Sequence, residues 1–338
     1  MNGASLPGRI AAAAFALAVV GLLHTQSAAE RISVRTFPVP LNSGDPDERK
    51  VGELTFLGGL ELRSPAEGFG GFSGLHISPG GRRMLAISDM GYWLQARLVH
   101  DADGALTDIE NVRLTPMLGP DGEPVTGKAR GDAEGLAVTE EGILVSFEGR
   151  PRVWRYPDTK DLSAAVPEAL PLPAGMKAVK RNKGLESLVA LPGGALLLLT
   201  EETLDGDGHI RGWLGGPGSK HYAPLRVRRT PPFAVTDAAL LPGKRDLLIL
   251  ERRYSLLAGL GIKLRRVPVS AVKPGALLDG RRVAEFSPGQ TIDNFEGLGV
   301  RAGRSGPMVY LLSDDNYSGF QRTLLFNFRL DSSVPAAH

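Results

Sequence analysis

The 338-residue sequence contains no cysteine. That excludes disulfides, thiolate metal sites and a lipid-modified cysteine. It also lacks a charge of one sign: 39 Lys and Arg stand against 37 Asp and Glu, a net +2. So small a surplus excludes a chain-wide basic field for nucleic acid or an acidic membrane surface. The local clusters "RVRRT" (Arg226 to Thr230) and "KLRRV" (Lys263 to Val267) alternate, and they read as solvated faces of outer strands. Histidines number six and are scattered. There is no His-Glu-x-x-His metal motif, no Walker loop, no Arg-His-Gly phosphatase motif and no Gly-x-Ser-x-Gly elbow; "GFSGL" has the wrong spacing.

What the chain does have is turn residues. With Gly 43, Pro 25 and 42% apolar residues, the composition favours an all-β globular protein over helical bundles. The first 29 residues read as a signal peptide: an early Arg9, an apolar run from Ile10 to Leu23, then Ser27-Ala28-Ala29. Cleavage after Ala29 leaves Glu30 as the mature N-terminus and a net charge of about +1. The run of 14 residues is short for a membrane span, and an uncleaved anchor is the alternative. An exported chain without disulfides points to a bacterial periplasmic or secreted protein.

Five segments share one grammar. They begin "GGFSGLHIS", "GDAEGLAVT", "KGLESLVAL", "AVTDAALLP" and "DNFEGLGVR". Each passes through a turn rich in Gly, Pro or charge into an apolar strand that ends in an acid, as in "MLAISD", "ILVSFE", "ALLLLTEE", "LLILER" and "MVYLLSDD". The starts, taken at Ser73, Glu134, Glu186, Asp237 and Glu296, lie 61, 52, 51 and 59 residues apart. Such repeats of short antiparallel strands are the signature of a β-propeller. Direct counting predicts five blades; a sixth would require Arg31 to Arg63 to supply more strands than are visible. "GELTFLGGLELRS" (Gly52 to Ser64) is expected to complete the last blade and so close the ring. The expected layout is therefore a signal peptide over 1–29, an extension over 30–51, one propeller domain over 52–330 and a tail over 331–338.

In a propeller the first strand of each blade lines the channel, and the second runs antiparallel to it. The opening residue of one should therefore meet the closing acid of the other at one mouth. This pairs Glu134 with Glu148, Glu186 with Glu201 or Glu202, Asp237 with Glu251, and Glu296 with Asp314 or Asp315. Ser73 replaces the opening acid in the first repeat, where Asp89 supplies the closing one. Clustered carboxylates repel and must be offset by bases or a cation. Arg130, Lys183, Arg252 and Arg253 are near in sequence. A hard divalent ion with oxygen ligands is the other solution, and Ca²⁺ accepts about six to eight of them. Each acid could alternatively be structural, accepting backbone N–H groups in a turn.

The openings "EGL" and "ESL", with "ISD", "SFEG", "TEE", "LER" and "LLSDDN" in that order, resemble the bacterial phytase-like family described as having "esterase-like activity of phytase". The resemblance spans roughly Phe56 to Leu330. It implies a propeller and an esterase or phosphoesterase chemistry. The positions matching its acidic repeats are Asp89, Glu134, Glu148, Glu186, Glu201, Asp237, Glu251, Glu296 and Asp314, the candidate metal ligands. The Ser73 opening and the shorter Asp237 depart from a uniform ring.

Two functional classes follow. One is a monomeric, calcium-assisted hydrolase of a small anionic or ester substrate, with Glu134, Glu186 or Glu296 as general base. The other is a propeller that binds an ion, ligand or partner without turnover. Ser73 reads as a small hydroxyl fitting the channel, and His76 as a satisfied core imidazole. "HDADGAL" and "LDGDGHI" read as Asp-Gly hairpin turns, since neither completes a twelve-residue calcium loop.

Overall fold

The computed structural model describes residues 29–157, 161–179, 183–219, 221–255 and 259–331. The expected signal peptide therefore lies outside the described residues, apart from Ala29. Five antiparallel sheets of four principal strands form five blades. Blade 1 comprises Phe72–Ile77, Arg83–Ser88, Tyr92–His100 and Leu106–Pro116; blade 2 comprises Ala133–Thr139, Gly142–Phe147, Arg152–Tyr156 and Glu168–Leu170. Blade 3 comprises Leu185–Ala190, Leu196–Leu204, Ile210–Gly215 and Ala223–Val227. Blade 4 comprises Ala234–Leu240, Asp246–Ser255, Gly259–Pro268 and Arg281–Glu285. Blade 5 takes Phe295–Arg301, Met308–Ser313 and Thr323–Leu330 from the C-terminal end, and Leu54–Arg63 from the N-terminal end.

That last pairing closes the ring as expected, with Leu330 opposite Leu54 and Thr323 opposite Leu62. Residues before it do not make a sixth blade. Arg35–Pro38 extends blade 5 at its outer edge, and Glu30–Arg31 pairs with the outer strand of blade 1. The first strands of the blades contact one another in the order 1-2-3-4-5-1.

Each seam between blades has its own hydrophobic core. In blade 4, Leu247 and Ile249 face the seam with blade 3, while Leu248 and Leu250 face the seam with blade 5. This is why the second strands read as unbroken apolar runs: both faces are buried. The glycine of "EGL" also has a packing reason. A Cβ on Gly135 would lie 3.0 Å from the Leu188 nitrogen, and one on Gly297 would lie 2.7 Å from the Ser73 carbonyl oxygen, so neighbouring inner strands could not approach as closely. Asp101 and Asp205 each accept backbone N–H groups two and four residues on, so both Asp-Gly stretches are hairpin turns.

Candidate functional site

Every inner strand carries a β-bulge near its start, and the bulge decides which side chains enter the channel. In blade 3 the extra residue is Glu186, between Leu185 opposite Thr200 and Ser187 opposite Leu199. In blade 5 it is Glu296. In blade 2 the irregular stretch holds Glu134 and Gly135, and in blade 1 it holds Ser73 and Gly74. In blade 4, however, Val235 faces Glu251 and Asp237 faces Leu250, so the extra residue is Thr236. The same offset acts on the second strand. Asp89, Glu148, Glu201 and Asp314 each follow the residue opposite the last inner-strand residue before the bulge; in blade 4 that place belongs to Arg252.

A cavity of about 190 Å³ results, lined by Ser73, Asp89, Lys128, Glu134, Glu148, Glu186, Glu201, Arg252, Glu296, Asp314 and Asn316. Seven of the nine expected acids are here. Asp237 and Glu251 are not, and the expectation that they join the mouth is corrected. A one-residue shift turns a strand's side chains to the other face. The Asp237 carboxylate accepts the N–H groups of Ala238 and Leu298, both at 2.7 Å, tying blade 4 to blade 5. Glu251 is fully buried between Arg265, which donates to it at 2.8 and 2.7 Å, and Lys263 at 3.1 Å. Lys263 and Arg265 therefore belong to a buried ion-pair network, which corrects the reading of "KLRRV" as a solvated face. His76 is only partly buried and does not line the cavity.

Two cations, Lys128 and Arg252, face these seven carboxyls, which leaves five negative charges if all ionise. They sit apart, Lys128 beside blade 1 and Arg252 between blades 3 and 5. Lys128 Nζ lies 3.1 Å from Asp89. Arg252 donates to Glu296 at 2.7 Å and to Glu201 at 3.1 Å, and it also holds Asn294. The other expected bases turn away: Lys183 pairs with Glu202, Arg130 with Asp121 at 3.6 Å, and Arg253 stacks on Phe233. Lys128 was not anticipated, because it comes from a connection between blades rather than from a repeat.

The wall built by blades 2 and 3 is almost purely carboxylate. Asp132, Glu134 and Glu148 bring oxygens within 4.8 Å of one another, as do Glu148, Glu186 and Glu201. Oxygens that share an ion at about 2.4 Å lie no more than about 4.8 Å apart, so these donors fit a hard divalent cation. Buried oxygens without partners support that fit: Asp89 Oδ1 and Asp132 Oδ1 receive no hydrogen bond. Asp132 went unassigned in the sequence reading, although it stands two residues before Glu134, the spacing that shares a strand face.

Burial, then mutual repulsion, raises these groups. The Glu134 and Glu186 carboxyls stand well above the ordinary glutamate range, each pushed up further by neighbouring glutamates. Burial takes Glu148 up to about 7 and Asp314 up to about 8. Burial also raises Glu296, but Arg252 and Asn294 oppose the rise. Burial alone would lower the Lys128 ammonium, yet the Asp89 carboxylate outweighs it and holds the pKa above its ordinary value.

Among solved structures, the catalytic domain of a Coprinopsis cinerea GH62 alpha-L-arabinofuranosidase is 11% identical, with 89% of this chain and 98% of that chain covered at a TM-score of 0.47. The RRP9 WD40 repeats are 10% identical, with 87% and 100% covered at a TM-score of 0.40. Both likenesses are too loose to bear on chemistry. No curated protein is similar enough in sequence to match. The phytase-like family model, described as "Esterase-like activity of phytase", matches residues 67–317, from just ahead of blade 1 into the loop that carries Asp314 and Asn316. With most of the chain and every lining residue of the cavity inside that match, the protein belongs to the phytase-like family.

Proposed function

We propose that the channel mouth binds a divalent cation, Ca²⁺ by its all-oxygen donor set, and hydrolyses an ester or phosphoester. The observation that carries this reading is the charge imbalance: seven carboxyls around one small cavity with only two cations among its lining residues. Asp132, Glu134, Glu148, Glu186 and Glu201 would hold the ion. Bound there, it would polarise the ester oxygen and lower the pKa of a water.

The chain's own residues supply the rest. Glu134 and Glu186 have no cationic side-chain partner within hydrogen-bonding distance among the described residues, and burial with neighbouring glutamates raises both carboxyls above their ordinary range. Either accepts the proton of the attacking water on its carboxylate. Glu296, fixed by Arg252 and Asn294, is the third candidate. Lys128, with 64% of its side chain exposed, stands where an anionic substrate would arrive.

The second reading, a binding propeller without turnover, draws on the ion pairs of Lys128 and Arg252, which already satisfy Asp89, Glu201 and Glu296. Elemental analysis of the purified protein, followed by a screen of carboxylic and phosphoric esters with and without chelator, separates the two. Chelator-sensitive cleavage supports the hydrolase. Stoichiometric cation with no cleavage leaves the binding reading. The proposed setting is the periplasm, reached through the leader; no helix among the described residues is long and apolar enough to cross a membrane.

A further inference from the structure

Blade 1 breaks the carboxylate ring. Where blades 2, 3 and 5 place Glu134, Glu186 and Glu296, blade 1 places Ser73. The residue is 2% exposed, lines the cavity, and its hydroxyl has no hydrogen-bond partner of good geometry. The Glu134 carboxyl is a near acceptor, and its contact with Ser73 opposes the rise that burial gives it. Blade 4 also carries a hydroxyl at this position, but Thr236 Oγ1 reaches the carbonyls of Leu250 and Phe295 at 3.5 and 3.4 Å. Ser73 is thus a buried hydroxyl that meets the Glu134 carboxyl without good hydrogen-bond geometry, and such groups ordinarily have a well-placed partner.

Lys128 serves the same sector. Its contact with Asp89 uses one of the three donors of an ammonium, and most of the side chain faces solvent. Arg252, by contrast, is committed to Glu201, Glu296 and Asn294. A ligand entering the mouth therefore meets carboxylates on the wall of blades 2 and 3 and, among the described lining residues, uncommitted side-chain donors beside blade 1.

We infer that Ser73 Oγ and Lys128 Nζ form an oxyanion subsite, receiving a non-bridging oxygen of a phosphoryl or acyl group. Its role in turnover rests on the hydrolase reading; its capacity to bind an oxyanion does not. Donors fixed before reaction where negative charge develops are among the strongest contributions to catalysis. The sector also sets orientation. Without a cation the carboxylate wall repels an anionic oxygen and directs it toward blade 1; with the cation bound, the ion and the blade 1 donors would hold two different oxygens of the group.

Calorimetric titration with inorganic phosphate, with and without Ca²⁺, tests this in the wild type, Ser73→Ala, Lys128→Gln and Lys128→Arg. Phosphate affinity should fall about ten- to hundredfold in Ser73→Ala and Lys128→Gln, the usual loss for a hydrogen bond to a charged group, and stay near wild type in Lys128→Arg. Ca²⁺ affinity should not fall in any of them. Lys128 sits on an exposed connection, so Lys128→Gln gives a folded test protein even if Ser73→Ala does not. Unchanged phosphate affinity in both variants, or no phosphate binding by the wild type in either condition, overturns the inference. Phosphate binding that depends on these residues in a protein that cleaves no ester upholds the subsite and defeats the hydrolase reading instead. Ester cleavage that is equally fast in wild type, Ser73→Ala and Lys128→Gln overturns the catalytic role.

Discussion

Ca²⁺ should stabilise the propeller, and Glu134→Gln should weaken that response while making the cation-free protein more stable. Folding gathers seven carboxyls around one cavity with two cations, whereas the unfolded chain spreads them apart. An ion bound only by the folded state contributes about 2.7 kcal/mol at a free concentration 100 times its Kd. Unfolding entropy of about 2.1 cal/mol/K per residue, over roughly 280 residues from Leu54 to Leu330, comes to about 0.6 kcal/mol/K. The expected rise in Tm is therefore about 4–5 °C. The pKa values add a pH signature. Glu134 and Glu186 are raised well above their ordinary values, Glu148 to about 7 and Asp314 to about 8, in each case chiefly by burial. A carboxyl whose folded pKa is raised stabilises the fold below its unfolded pKa of about 4, and that contribution is lost as pH rises through the folded value. The chelated protein should thus lose stability between about pH 4 and pH 8, and Ca²⁺ should relieve the loss. Differential scanning calorimetry of chelated and Ca²⁺-loaded protein across that range is the assay. No Ca²⁺ response at about pH 8, or a chelated Tm that climbs from about pH 5 to pH 8, refutes the reasoning. So does a Glu134→Gln protein that is less stable than the wild type without cation, because that is the behaviour of a structural carboxylate.

Three further outcomes are expected. Deleting the chain through Ser64 strips the strand that covers Thr323–Leu330, so the truncated protein should aggregate or unfold without cooperativity; light scattering and a melting curve check this, and a melt like that of the full chain would make the segment peripheral. Glu251→Ala leaves Arg265 and Lys263 buried without their counter-ion, and denaturant titration should show a loss of about 3–5 kcal/mol with the Ca²⁺ response intact. Asp237→Ala leaves the N–H groups of Ala238 and Leu298 unpaired, a cost of about 1–3 kcal/mol each, again with the Ca²⁺ response intact; a lost response in either variant would return that acid to the ion site.

The sequence by itself determined the architecture. Five repeats with acids at matching strand ends, turns between them and a spare N-terminal strand could bury their apolar faces only by closing into a ring, and Leu54–Arg63 does close it. It also brought Glu134, Glu148, Glu186, Glu296 and Asp89 to one mouth, with Glu201 or Glu202 and Asp314 or Asp315 beside them, because antiparallel pairing brings the start of one strand beside the end of the next. Tertiary structure decided the rest. The bulge in blade 4 falls on Thr236, one residue before the acid, so Asp237 and Glu251 turn into the seams and Arg252 enters the ring. Glu251 finds its counter-charges on the third strand, Lys263 and Arg265, and the mouth draws Lys128 from a connection. Motifs of first and second strands carry no trace of either. Strand alternation shows which residues share a face, but a single bulge exchanges the faces, and only the assembled blades show which side chains then meet.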